Sequence, residues 1–157
     1  MQKITVLCVG KWKEKFFEDA AAEYLKRLSR FCRAELVQLP ETRLPDAPSQ
    51  SQIDAALESE AEAILAKTPA QCRLIALCVE GKPYSSEDFS ALLDPAEAGH
   101  VAFLVGGSYG LHPSVKARAD ARVSMSPMTF PHHLARVMLL EQIYRAFQIR
   151  AGSRYHK

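Results

Sequence analysis

A mostly parallel β-sheet with helices on both faces is the fold this chain predicts, and three observations point to it. Short β-rich apolar runs alternate with longer helical runs five times, glycine and proline punctuate the joins, and the apolar runs are far shorter than a bilayer span. At 157 residues the chain suits a single domain, 1–157, large enough to bury its own core without disulfides or metal.

The elements follow in order. Strand-like runs cover 4–9, 34–39, 74–79, 101–105 and 122–124. Each is followed by a helical pattern, over 13–31, 51–67, 86–93, 113–119 and 132–150 respectively. Ser85 with Asp88 three residues on can form a capping box, and Pro113 and Pro131 suit first-turn positions of helices. Pro40, Pro45 and Pro48 forbid a ladder or helix between the second strand and its helix, so 40–48 reads as a flexible loop joining elements. The helix over 51–67 carries Asp54, Glu58, Glu60 and Glu62, an acidic set expected on a solvated outer face.

Met1-Gln2-Lys3 leads directly into a strand without a signal-peptide layout, so a soluble cytoplasmic protein is expected. Cys8, Cys32, Cys72 and Cys78 form no C-x-x-C pair and read as reduced, buried thiols. The five histidines lack zinc-ligand spacing, and no metal is expected. A net charge of +2 conceals an asymmetry: residues 1–105 sum to −4 and residues 106–157 to +6. After Glu141 no acid follows, while Arg145, Arg150, Arg154 and Lys157 do. Such an excess suits a phosphate-bearing partner, and equally suits a solvated helix end whose cations complement the helix dipole.

Two turns mark where a ligand would sit. Gly106-Gly107-Ser108-Tyr109-Gly110 follows one apolar strand, and Met125-Ser126-Pro127-Met128-Thr129-Phe130-Pro131 follows another. In open α/β sheets, ligands occupy the crevice beyond the carboxyl ends of strands. The glycine turn is neither a P-loop nor a Rossmann fingerprint, and a tight turn needing positive φ explains its glycines as well. In the last helix, Leu139, Leu140, Ile143, Tyr144 and Phe147 make a broad apolar side. Glu141, Arg145 and Gln148 form a polar stripe flanked by Leu134, Val137 and Met138. Burial on more than one side suggests a partner subunit in a symmetric dimer. Glu141 and Arg145 suit a helix ion pair or, if buried, a pair positioning a polar substrate.

These residues carry a resemblance. Gly106 to Leu111, Met125 to His132, Arg136, Glu141-Gln142-Ile143-Tyr144-Arg145-Ala146 and the ending Tyr155-His156-Lys157 resemble the ribosomal large subunit methyltransferase H family, of the SPOUT class of RNA methyltransferases. The likeness runs through the whole chain, including 4–11 and Glu80-Gly81-Lys82. It implies methyl transfer from S-adenosylmethionine to N3 of a pseudouridine in 23S rRNA, within the large subunit or assembled ribosome. It also implies a homodimer and a trefoil knot in the carboxyl half, about 70–157, which chains ordinarily avoid.

By the same resemblance, cofactor contacts fall at Leu77, Gly106, Met125, Ser126, Pro127, Met128, Thr129 and Phe130. Pro127 lacks an N–H, so no donor is available there. Arg145, Tyr155 and His156 are the catalytic candidates, with Glu141, Arg145 and Arg154 toward substrate. Arg145 and Arg154 suit phosphate or developing negative charge; His156, with Tyr155 as rival, suits positioning or accepting the N3 proton. Two other functions fit the same residues: a SPOUT methyltransferase acting on another RNA such as tRNA, and a non-catalytic ribosome-binding factor using the basic half.

Overall fold

The computed structural model describes residues 1–157. It contains β1 (Lys3–Val9), α1 (Lys15–Leu28), β2 (Arg33–Leu39), α2 (Gln50–Lys67), β3 (Arg73–Pro83), α3 (Ser86–Leu92), β4 (His100–Val105), α4 (Pro113–Arg118), β5 (Ala121–Ser124) and α5 (His132–Arg150). All five strands pair in parallel, in the order β2-β1-β4-β3-β5. Every expected element is present.

Side chains alternate across the sheet, and the two faces bury different helices. Ile4, Val6, Cys8, Val101, Phe103 and Val105 point to one face, where Ala21 and Leu28 of α1, Phe89 of α3, and Leu139, Leu140 and Ile143 of α5 close over them. Leu7, Val9, Ala102 and Leu104 point to the other face, against Ala61 and Ile64 of α2 and Val115 of α4. Near-continuous apolar strands are what a doubly covered parallel sheet requires.

Local signals place most helix ends. Ser49 caps α2 through a full capping box with Gln52, a signal the reading of the sequence missed. Ser85 accepts from the Asp88 backbone N–H at 3.0 Å. Pro113 opens α4, whereas Pro131 sits one residue before α5 as its N-cap. Glu60 departs from its expected solvated face: it is buried, and its carboxylate accepts the Thr42 N–H at 3.0 Å, fastening the 40–48 loop to α2.

The departure that matters for function lies in β3, which runs past Val79 to Pro83. Leu77 and Lys82 both pair with Val123, so Cys78–Gly81 leave the sheet as an excursion and return. A Cβ on Gly81 would lie 2.9 Å from backbone atoms of Arg122 and Val123. Glycine is needed there because the two chain segments nearly touch.

Candidate functional site

Beyond the carboxyl ends of the adjacent strands β4, β3 and β5 lies a cleft of about 340 Å³, within the range of about 300–1,000 Å³ usual for small-molecule sites. Each strand contributes the segment that leaves it. From β3 comes the excursion Leu77–Glu80, from β4 the glycine turn, and from β5 the 125–130 loop. Leu77, Gly106, Met125, Ser126, Met128 and Phe130 line this cleft; Pro127 and Thr129 lie in the same loop but do not line it.

Gly106 serves by closeness rather than by backbone conformation. Its φ is not positive; Gly110 carries the left-handed turn, at φ +79°. A Cβ on Gly106 would stand 2.4 Å from the Gly110 carbonyl, because the turn folds back on itself through the Gly107–Gly110 bridge. On the opposite wall, the Ser126 hydroxyl accepts the Met128 N–H at 3.0 Å, and the Ser124 hydroxyl donates to the Ser126 carbonyl at 3.1 Å. The loop is therefore held without the N–H that Pro127 lacks.

The lining is apolar with a few polar groups, as is usual for a small-molecule site. The polar members that sequence reading missed are Glu80, Tyr109, Lys116 and His132. Glu80 and Lys116 form an ion pair, which holds the Glu80 carboxyl below the usual carboxylate range. No local motif marks Lys116, which reaches the cleft only through the strand order, whereas Glu80 and His132 lie in stretches that carry the family likeness. Met128 and Phe130 stand exposed at the mouth, 72% and 36%.

Arg136 of α5 is fully buried. It donates to the carbonyls of Val9 at 2.6 Å and Gly10 at 2.9 Å, and its guanidinium stacks over Trp12 at 4.9 Å. It pins the end of β1 to the start of α5.

The catalytic candidates gather elsewhere, along the outer stripe of α5. Glu141 accepts two bonds from Arg145, at 2.7 and 3.3 Å, and one from the Tyr155 hydroxyl at 3.1 Å. Arg145 also reaches His156 Nδ1 at 3.2 Å and lies 4.9 Å over the Tyr155 ring. His156 Nε2 contacts Glu87 of α3 at 2.7 Å. Because the guanidinium can only donate, Nδ1 accepts; Nε2 therefore carries the proton and donates to Glu87. The terminal heptapeptide is thus anchored. Burial first, and then the bond to Glu141, push the Tyr155 phenol up, keeping it a donor.

This cluster does not line the cleft at the strand ends. Glu141 borders a separate cleft of about 340 Å³ between α3, the end of β5 and α5, and the two clefts share only Val123 and Met125. Arg154 is exposed and touches none of these groups. Within one chain, then, the cofactor candidates converge and the Arg145–Tyr155–His156 set converges, but the two sets stay apart.

No group of three His, Cys, Asp or Glu side chains is placed to hold a metal ion, and no helix is long and apolar enough to cross a membrane. All four cysteines are free, with Cys8 and Cys32 buried and Cys72 and Cys78 half-buried.

Comparison with known proteins agrees with this architecture. A family model described as "Predicted SPOUT methyltransferase" matches residues 2–156. The chain is 45% identical to the ribosomal RNA large subunit methyltransferase H of Streptococcus uberis and 46% identical to that of Streptococcus thermophilus, with 99% of each chain covered. Among solved structures, a probable methyltransferase from Bordetella pertussis Tohama I aligns with a TM-score of 0.58 at 19% identity, covering 93% of this chain and 96% of that one. A probable methylase family protein from Haemophilus influenzae aligns at 0.57 and 14% identity, covering 98% and 70%. The SpoU methyltransferase AviRb of Streptomyces viridochromogenes, solved with its cofactor AdoMet, aligns at 0.50 and 18%, covering 96% and 58%. Matched along nearly its whole length by the family model and by relatives above 40% identity, the chain belongs to the SPOUT methyltransferase family.

Proposed function

We propose that this protein is an S-adenosylmethionine-dependent methyltransferase acting in the cytoplasm on N3 of a pseudouridine in 23S rRNA. The observation that carries the reading is the convergence of Leu77, Gly106 and the 125–130 loop on one cleft at the ends of three neighbouring strands. The named activity of relatives sharing nearly half their residues supports it. We also propose a single 1–157 unit with a knotted half at about 70–157; the family match over residues 2–156 supports that.

The cofactor supplies a methyl group already activated on a sulfonium. What the chain must do is orient it and help the imide lose its proton. Leu77, Met125 and Phe130 would enclose the apolar part of the cofactor, and the open backbone at Gly106 admits close approach. His156 is the base, its imidazole aimed by Glu87 and its Nδ1 held by Arg145 until substrate arrives. Arg145 then stabilises negative charge developing on the base, and Arg154 meets phosphate. Tyr155, donating to Glu141, positions this set.

Because the two sets lie apart in one chain, the active arrangement is a homodimer in which one subunit's tail faces its partner's cleft. Calorimetry with S-adenosylhomocysteine, followed by mapping of methyl incorporation on ribosomes from a strain lacking the gene, tests the function. Saturable binding and a single modified pseudouridine are expected. Methylation confined to tRNA would move the activity to another RNA, and ribosome binding without cofactor affinity would make the protein a binding factor.

A further inference from the structure

A second concavity opens on the same edge of the sheet. Its volume is about 700 Å³, and it lies between the 41–45 loop, α2, Lys13 and the Ser108-Tyr109 step of the glycine turn. Tyr109, 49% exposed, lines both this groove and the cofactor cleft. Ile53, Ala56 and Leu57 give the groove an apolar floor, and the buried Glu60 is already committed to the Thr42 N–H.

Its remaining polar groups have no protein partner. The side chains of Lys13, Glu41, Arg43, Ser108 and Tyr109 make no hydrogen bond or ion pair to the rest of the chain and are free to meet a ligand. Glu41 is also placed with care. Its carboxylate oxygens lie 3.0 and 3.1 Å from where Cβ atoms on Gly10 and Gly107 would stand, so both turns leave room for it.

The mixture of charges selects the ligand. Two cations suit a phosphodiester, an exposed aromatic ring suits stacking of a base, and a carboxylate between them accepts from a base N–H or a ribose hydroxyl. A simple anion would meet Glu41 and be repelled. A nucleotide within an RNA strand satisfies all three at once.

We propose that this groove holds the nucleotide of the rRNA strand that neighbours the one being methylated, with Lys13 and Arg43 on its phosphate, Tyr109 against its base and Glu41 on its polar edge. The proposal rests on the rRNA methyltransferase reading above and adds a substrate contact that the cofactor cleft lacks.

The test uses the full-length protein with S-adenosylhomocysteine and ribosomes from a strain lacking the gene. Arg43→Glu and Lys13→Glu should each weaken co-sedimentation with ribosomes by about tenfold or more at fixed salt. Lys67→Glu, at the opposite end of α2, should weaken it less than about twofold, and all three should keep the wild-type affinity for S-adenosylhomocysteine. Ultraviolet cross-linking should place rRNA on the peptide containing Tyr109. Groove variants that bind ribosomes like Lys67→Glu, or cross-links only elsewhere, overturn the proposal. Loss of the dimer in Arg43→Glu overturns it in favour of a second copy of the chain in the groove. Failure of the wild type to bind S-adenosylhomocysteine while the ribosome results hold would instead defeat the methyl-transfer reading and leave the groove an RNA site.

Discussion

Gly106 is the residue at which sequence and structure assign different causes to one fact. A turn glycine usually signals positive φ, yet here the requirement is space, with 2.4 Å between an imagined Cβ and the Gly110 carbonyl. Even Gly106→Ala must displace the turn, and it should weaken S-adenosylhomocysteine binding by more than about tenfold, or 1.4 kcal/mol, in a calorimetric titration. Cys78 reports on the same cleft. Burial raises all four thiols, Cys8 to about 12 and Cys32 to about 11, so only Cys72 and Cys78 are accessible to an alkylating agent. Bound S-adenosylhomocysteine should protect Cys78 and leave Cys72 reactive, as peptide mass mapping would read out. His132 and His133 are held below their ordinary 6.5, first by burial and also by the nearby Arg136. Unfolded imidazoles take up protons near pH 6.5 while the folded ones resist until lower pH. Stability is therefore full above about 6.5 and falls as pH drops through the folded values. Denaturant midpoints measured from pH 7.5 to 5 should decline, and the decline should be shallower in the His132→Gln/His133→Gln variant.

At the scale of elements, the β3 excursion and the terminal heptapeptide are the parts to which we assign the function. The excursion gives the cofactor cleft a wall because β3 leaves β5 at Leu77 and rejoins it at Lys82. The heptapeptide is tied to α5 and α3 by Tyr155 to Glu141 and His156 to Glu87, after Gly152 turns the chain at φ +65°. Those ties are peripheral to the core. Truncation after Arg150 should therefore shift the thermal midpoint by no more than a few degrees while abolishing methyl transfer. A truncated protein that retains turnover would make Tyr155 and His156 spectators.

For the whole molecule, the strand order β2-β1-β4-β3-β5 brings together the carboxyl ends of β4, β3 and β5, although β4 and β5 are separated in sequence by α4 and its turns. Glu141 of the tail cluster borders a second cleft, which shares only Val123 and Met125 with the cleft at the strand ends. A dimer in which tail and cleft meet across the interface has a direct consequence. Mixing and reassociating a chain truncated after Arg150 with a Gly106→Trp chain should restore activity through hybrids that carry one sound cleft and one sound tail. If both sets acted within one chain, neither hybrid subunit would be complete and no activity would return.

The five β-α repeats were legible because apolar periodicity and turn residues are local, and the burial of alternate strand residues on two faces follows from them directly. So was the place of the cleft at the strand ends: two turns after two apolar strands mark its loops, and the likeness of those motifs to a known family supplied Leu77. Local patterning could not reveal that Glu60 is buried, since its partner, the Thr42 N–H, arrives from a loop 18 residues away. The same holds for Glu80, Lys116 and His132, and for the groove between Lys13, Arg43 and Tyr109, because each depends on which strands become neighbours. Sequence by itself determined the layers, the strand ends and the chemical character of the loops, which are properties of short stretches. Tertiary structure alone decided which distant residues share a cavity, why Gly81 and Gly106 can carry no side chain, and that the Arg145–Tyr155–His156 set lies outside the cleft of its own chain. Those outcomes depend on segments passing within van der Waals distance of each other, a constraint set by the path of the whole chain.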